Sequence, residues 1–312
     1  MSLSTPVAFL IFNRPDLTRT VFQAIAEAKP KTLLVVADGP RFPEEAEKCK
    51  KARTVVLSGV DWDCRVSTNF ADSNLGCKVR PSSGLGWVFS QVDEAIILED
   101  DCVPAPSFFY FCQSLLEHYR DDERIMGIGG CNFQLGQKRT DCSYYFSKYP
   151  HTWGWATWKR AWRYFDENIV ACPELKRAGI LNWLCDDPCE RRYWTNIFDQ
   201  LVEGRINTWD YQWLFAMWCQ NGLSVVPSEN LVSNIGFGPD ATHTRSDNLM
   251  ARLPTKDVWE IRHPSFVVRH KEADKYEFDY AFGGRKLRGV YGALRVIRRF
   301  LRSKQGSCVL LM

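Results

Sequence analysis

Glu99, Asp100 and Asp101 follow the apolar run Ala95-Ile96-Ile97-Leu98 directly, and Cys102-Val103-Pro104 closes them off. A short, partly β-branched run bounded by polar residues and proline predicts a buried strand. Carboxylates at the carboxyl end of such a strand project into the crevice where open α/β sheets bind ligands. Adjacent acids repel one another unless a cation sits among them, and hard oxygen ligands suit Mg2+ or Mn2+. Neighbouring side chains of a strand point to opposite faces, so at most two of the three acids serve one site. The residue types alone also allow a solvated acidic turn.

Further charged residues stand where chemistry or local structure could use them. Lys78 and Arg80 precede Gly84 and Gly86 at the start of a helical stretch. A basic pair there could neutralise a diphosphate or position a sugar, or simply face water. Arg14 lies in Asn13-Arg14-Pro15-Asp16, a helix opening with proline at its first position. Asp210, between Trp209 and Tyr211, fits a helix N-terminus, where aspartate and the nearby Thr208 are ordinary caps. His243 sits between two threonines after the glycine-rich turn 236–239.

The elements that would carry these residues alternate. Strands are expected over 7–12, 32–37, 64–68 and 95–98, with helices over 15–28, 44–57 and 84–93 between them. That order predicts a mostly parallel sheet with crossover helices. Beyond Asp101 the pattern loosens into helices over 107–119, 158–164, 190–202 and 211–221 and short strands over 125–129, 224–226 and 231–233. From Gly283 the chain is basic, and apolar positions 290, 294, 297 and 301 recur at helical spacing. Such a tail would either lie on an anionic membrane surface or pack on the protein itself.

Composition narrows the class. The 312 residues carry a net charge of only +3, so the chain is not expected to bind nucleic acid. The first apolar stretch is short and ends in Asn13-Arg14-Pro15, and no run is long enough to span a bilayer, so a cytoplasmic protein is expected. Its twelve cysteines are scattered, which predicts reduced thiols rather than a disulfide framework. Ten of the twelve tryptophans fall between Trp87 and Trp218, and tryptophan serves both cores and sugar platforms.

Taken together, Pro6-Val7, Asn13-Arg14-Pro15, Asp38-Gly39, Ile97-Leu98-Glu99-Asp100-Asp101, Phe108-Phe109, Gly154-Trp155 and Trp209-Asp210 resemble GT-A glycosyltransferases. Within that fold the chain is similar to N-acetylglucosaminyltransferase I and to bacterial hemolysin-activation-like glycosyltransferases, over about residues 6–244. The resemblance implies a Rossmann-like α/β domain over 1–282, with a nucleotide-binding half over about 1–102 and an acceptor half over about 103–245, followed by the tail 283–312. It implies Mn2+ or Mg2+ on Asp101, with His243 as a further metal or phosphate contact. Asp100 would approach the ribose or be a secondary metal-site contact, Glu99 would be structural or touch the sugar, Arg14 and Asp38 would contact the base, and Trp155 would lie near donor and acceptor sugars. Asp210 would be the base that takes the proton from an acceptor hydroxyl. The implied activity is transfer of a hexosyl or N-acetylhexosaminyl group, with inversion, from a nucleotide-diphosphate sugar (a UDP-sugar foremost) to a glycan or lipid-linked acceptor in cell-surface polysaccharide synthesis, at the inner face of the membrane if the tail docks there. The contrasting expectation is a catalytically silent glycan-binding or membrane-associated adaptor on the same fold.

Overall fold

A computed structural model describes residues 3–237, 250 and 253–290. The first half runs β1 (Val7–Ile11), α1 (Pro15–Ala28), β2 (Thr32–Ala37), α2 (Ala46–Gly59), β3 (Arg65–Phe70), α3 (Gly76–Gln91) and β4 (Glu94–Glu99). It continues through β5 (Cys102–Pro104), α4 (Pro106–His118), β6 (Ile125–Gly129), β7 (Tyr144–Ser147) and β8 (Trp155–Trp158). Short helices α5 (Lys159–Trp162), α6 (Cys172–Arg177) and α7 (Leu181–Leu184) lead to α8 (Pro188–Val202) and α9 (Asp210–Cys219). Strands β9 (Leu223–Pro227) and β10 (Val232–Asn234) and helix α10 (Lys271–Tyr280) complete the named elements.

Eight strands form one sheet in the order β3-β2-β1-β4-β8-β6-β9-β7, while β10 pairs with β5 in a separate ribbon. Strands β3, β2, β1 and β4 are parallel neighbours, and so are β6 and β9. β8 runs antiparallel to both β4 and β6, and β7 antiparallel to β9. This is the mostly parallel, Rossmann-like sheet flanked by helices that the GT-A resemblance implies.

The central strands are apolar throughout because both faces are covered. Side chains alternate: Val7, Phe9, Ile11, Leu33, Val35, Ile96 and Leu98 meet α1, α2 and α4. Ala8, Leu10, Leu34, Val36, Ala95 and Ile97 meet α3, α5 and α9 instead. Each fully buried valine, leucine or isoleucine contributes about 1.5–3 kcal/mol. A third core, built around Tyr149, Trp194, Phe198 and Trp218, joins the later helices.

Helix α1 shows how sequence becomes element. Proline pre-sets its first turn, Thr18, Val21, Phe22 and Ile25 form the buried stripe, and Lys29 in left-handed conformation (φ 49°) ends it. Helix α3 begins eight residues before the expected position 84 and contains Pro81, which lacks the N–H that an uninterrupted helix would use. The tail call is only partly covered by the described residues. Residues 284–290 are helical, and Arg288 Nη2 lies 2.6 Å from Asp187 Oδ2, so this turn packs on α8. Residues 291–312 and His243 lie outside the described residues. Among the described residues no helix is long and apolar enough to cross a membrane.

Candidate active site

The parallel register places Leu10 beside Glu99, so Phe12 and the start of α1 lie next to the acids. Phe12 N–H donates to Asp100 Oδ2 at 3.2 Å. Arg14 caps α1 with its backbone, whose carbonyl accepts from Thr18 N–H at 2.9 Å, and makes no side-chain cap. Its guanidinium instead donates to Asp100 Oδ1 and lies 2.9 Å from Asp101 Oδ2. Asp100 and Asp101 are 2% and 8% exposed, a depth at which an unpaired carboxylate would be costly. Burial alone would lower the Arg14 pKa, but the charges of Asp100 and Asp101 outweigh it and raise it.

Even with Arg14 in place, the cluster has an excess of negative charge. Burial, then the charges of Asp101 and Asp100, push the Glu99 carboxyl well above the usual carboxylate range, with Arg14 opposing and Asp210 adding to the rise. Burial also raises Asp100, against the pull of Arg14.

Asp101 is covered by the β10 exit. Its carbonyl accepts from Ile235 N–H at 2.8 Å, and Gly236 packs so closely that a Cβ there would stand 2.1 Å from Asp101 Oδ2. Asn234 Oδ1 holds the Gly236 N–H at 2.8 Å, fixing this approach. Gly236 was legible only as part of a loop, because nothing in the sequence links it to an acid more than a hundred residues earlier.

Asp210 opens α9 but does not cap it through its side chain; Trp209 is the N-cap residue. Asp210 Oδ1 accepts from Tyr211 N–H at 3.0 Å and from the Thr208 hydroxyl. Oδ2 has no hydrogen bond among the described residues. The Cys77 thiol, raised first by burial, also feels the charges of Asp210, Glu99 and Asp38, and it donates to Asn207 carbonyl at 3.3 Å. Cys77 therefore ties the start of α3 to the loop before α9. As a lone cysteine it carried no sequence signal.

Several residues expected at a ligand are engaged elsewhere in the protein. The Asp38 carboxylate accepts four hydrogen bonds, from Gly39, Leu75 and Gly76 N–H and from Asn74 Nδ2. Four acceptances fill its lone-pair positions, so in this structure it clamps the turn into α3 rather than offering an acceptor to a base. Arg80 is buried and donates to the Asn69 carbonyl and, at 2.7 Å, to Asn69 Oδ1, which turns it toward the end of β3 and away from the acids. Lys78 faces Glu167 at 3.8 Å. Trp155 is 1% exposed and packs with Trp162, Trp209 and Trp213, with ring centroids 5.6–6.3 Å apart. It belongs to the core behind the start of α9, and the strand β8 that carries it pairs Trp155 with Ile97 in mid-sheet.

Among the described residues no group of three or more histidine, cysteine, aspartate or glutamate side chains converges on one point. Mg2+ and Mn2+ sites commonly use only one or two carboxylates plus substrate phosphates. Asp101, already facing a cationic group and preceded in the chain by two further carboxyl side chains, Glu99 and Asp100, fits a site of that kind and not an all-protein cage.

No family model and no curated protein matches the chain. Among solved structures, it is similar to the mannosyltransferase PcManGT from Pyrobaculum calidifontis in complex with GDP-Man and Mn2+ at 10% identity, covering 70% of each chain, with a TM-score of 0.40. S. aureus TarS 1-349 is similar at 11% identity over 57% of this chain and 49% of its own, with a TM-score of 0.34. A UDP-glucose pyrophosphorylase complexed with UDP-glucose is similar at 10% identity over 72% of this chain and 90% of its own, also at 0.34.

Proposed function

We propose that this chain is a divalent-metal-dependent glycosyltransferase that moves a sugar from a nucleotide-diphosphate sugar, foremost a UDP-sugar, to a glycan or lipid-linked acceptor with inversion. The observation that supports it is Arg14 set against both Asp100 and Asp101 at the carboxyl ends of β1 and β4, directly after Glu99 at the end of β4. Ligands of open α/β sheets bind at this edge.

In this proposal Asp101, with Glu99 or Asp100 beside it, would hold the divalent metal. A bound divalent cation supplies compensation for the charge that develops on a leaving diphosphate. Arg14 holds Asp100 and Asp101 in place and adds positive charge on the same side. Asp38 acts indirectly, by fixing the turn that starts α3. Asp210 takes the acceptor hydroxyl proton on Oδ2, while Thr208 and Tyr211 N–H orient the carboxylate through Oδ1. Trp155, Trp209 and Trp213 hold the start of α9 rigid against the sheet.

The test is release of free nucleotide from UDP-glucose, UDP-galactose, UDP-N-acetylglucosamine and GDP-mannose, with Mn2+ or with EDTA. Mn2+-dependent hydrolysis of at least one donor is expected. No hydrolysis of any donor, together with no nucleotide binding, overturns the proposal.

A further inference from the structure

Gly154 turns the chain with φ 65°, and a Cβ there would stand 2.7 Å from Val232 Cγ2, so the two tryptophans flanking it part company. Trp155 enters the core against α9. Trp153 packs instead on the other core, edge-on to Phe133 at 5.3 Å and to Phe237 at 5.6 Å. Phe237 follows Gly236, the residue pressed against Asp101. Because Ile97 pairs with Trp155, Trp153 lies at the end of β4 that bears the acids. Within the sheet, β4 has β1 and Arg14 on one side and β8 with Trp153 on the other. Trp153, Phe133 and Phe237 are each half-buried. The Trp153 indole Nε1 is neither among the buried unpartnered atoms nor hydrogen-bonded within the described residues.

We propose that Trp153 and Phe237, backed by Phe133, form the stacking floor of a subsite for the acceptor, and that the acceptor's reacting end is a pyranose sugar. Pyranoses present a C–H face that packs on aromatic rings and an edge of hydroxyls that needs polar partners. Here Phe237 follows the glycine pressed against Asp101, and the Trp153 indole N–H has no hydrogen-bond partner among the described residues. An acceptor that is only a lipid phosphate or a peptide hydroxyl gives no reason to border a carboxylate cluster with half-exposed rings. This inference rests on the glycosyl-transfer proposal, and it assigns the acceptor to the β8–β10 side of the acids, across β4 from Arg14.

Saturation-transfer NMR with the methyl β-glycosides of galactose, glucose and N-acetylglucosamine tests it in full-length wild type, Phe237→Ala and Trp153→Phe proteins. UDP binding in Mn2+ and melting temperature are measured alongside. At least one glycoside is expected to bind wild type, with its C–H face receiving the strongest transfer. Phe237→Ala should weaken that binding about tenfold or more, and Trp153→Phe less, with UDP binding and melting unchanged. Failure of all three glycosides to bind wild type, or equal binding by all three proteins, overturns the subsite. Glycoside binding that depends on both rings in a protein that never binds UDP would keep the subsite and overturn the transferase proposal.

Discussion

The Arg14 guanidinium donates to the Asp100 carboxylate across the carboxyl ends of β1 and β4, joining residues 86 positions apart. Asp100 is almost fully buried and Arg14 only partly so, and the same guanidinium lies 2.9 Å from Asp101. One cation therefore holds two carboxylates that would otherwise repel in a poorly solvated crevice.

Arg14→Ala removes that cation and leaves both aspartates uncompensated. Truncating one partner of a buried ion pair costs roughly 3–5 kcal/mol, and less for a partner as exposed as Arg14. A thermal melt should show the loss, and Mn2+ should restore part of it. An unchanged melting temperature would mean that Arg14 contributes nothing to holding the acids.

Glu99 sets a pH dependence with a definite sign. Its carboxyl and that of Asp100 are raised in the folded chain, so the folded state holds protons that the unfolded state releases. Their contribution to stability is fully present below the unfolded values, near pH 4, and is lost as pH rises through the higher folded values. The metal-free protein should therefore melt progressively earlier between about pH 5 and pH 8. Glu99→Gln should flatten that slope and melt later at the alkaline end. An equally steep slope in the variant would remove Glu99 as its source.

Asp38→Ala should act through folding, since three hydrogen bonds to the α3 turn and one to Gly39 disappear together. At about 1 kcal/mol each, a loss of roughly 3–4 kcal/mol is expected in denaturant titration. Weakened nucleotide affinity with unchanged stability would instead make Asp38 a ligand contact.

Asp210→Asn should leave donor binding and melting temperature near wild type, because an amide oxygen can still accept from Thr208 and Tyr211. Transfer should slow by ~100-fold or more. Retained turnover with an earlier melt would reduce Asp210 to a helix-start residue.

Much of the first half of the fold was readable because its strands are buried on both faces and its helices carry clear stops and starts. Residues 32–37 and 15–28 were placed to the residue. Helix α3 was expected only over 84–93, whereas it starts at Gly76 and runs through Pro81; Gly84 is needed inside it, a Cβ there meeting Val36 at 2.4 Å. Strand β8 was missed since it is only four residues long and all four, Thr157 included, are buried, so no alternation marks it. The acid cluster was legible from composition at a strand end. The engagement of Asp38 and Arg80 was not, because a carboxylate or guanidinium free for a ligand and one spent on backbone groups look the same in a sequence. Local letters do not reveal partners brought together by the sheet, such as Gly236 with Asp101 or Cys77 with Asn207.

Calorimetric titration of UDP into the protein with and without Mn2+, for wild type and Asp101→Asn, tests the central claim most directly. Wild type should bind UDP in Mn2+ at least tenfold more tightly than in EDTA, and Asp101→Asn should lose that enhancement while staying folded. Equal affinity with and without metal, or a metal enhancement that survives Asp101→Asn, would contradict it.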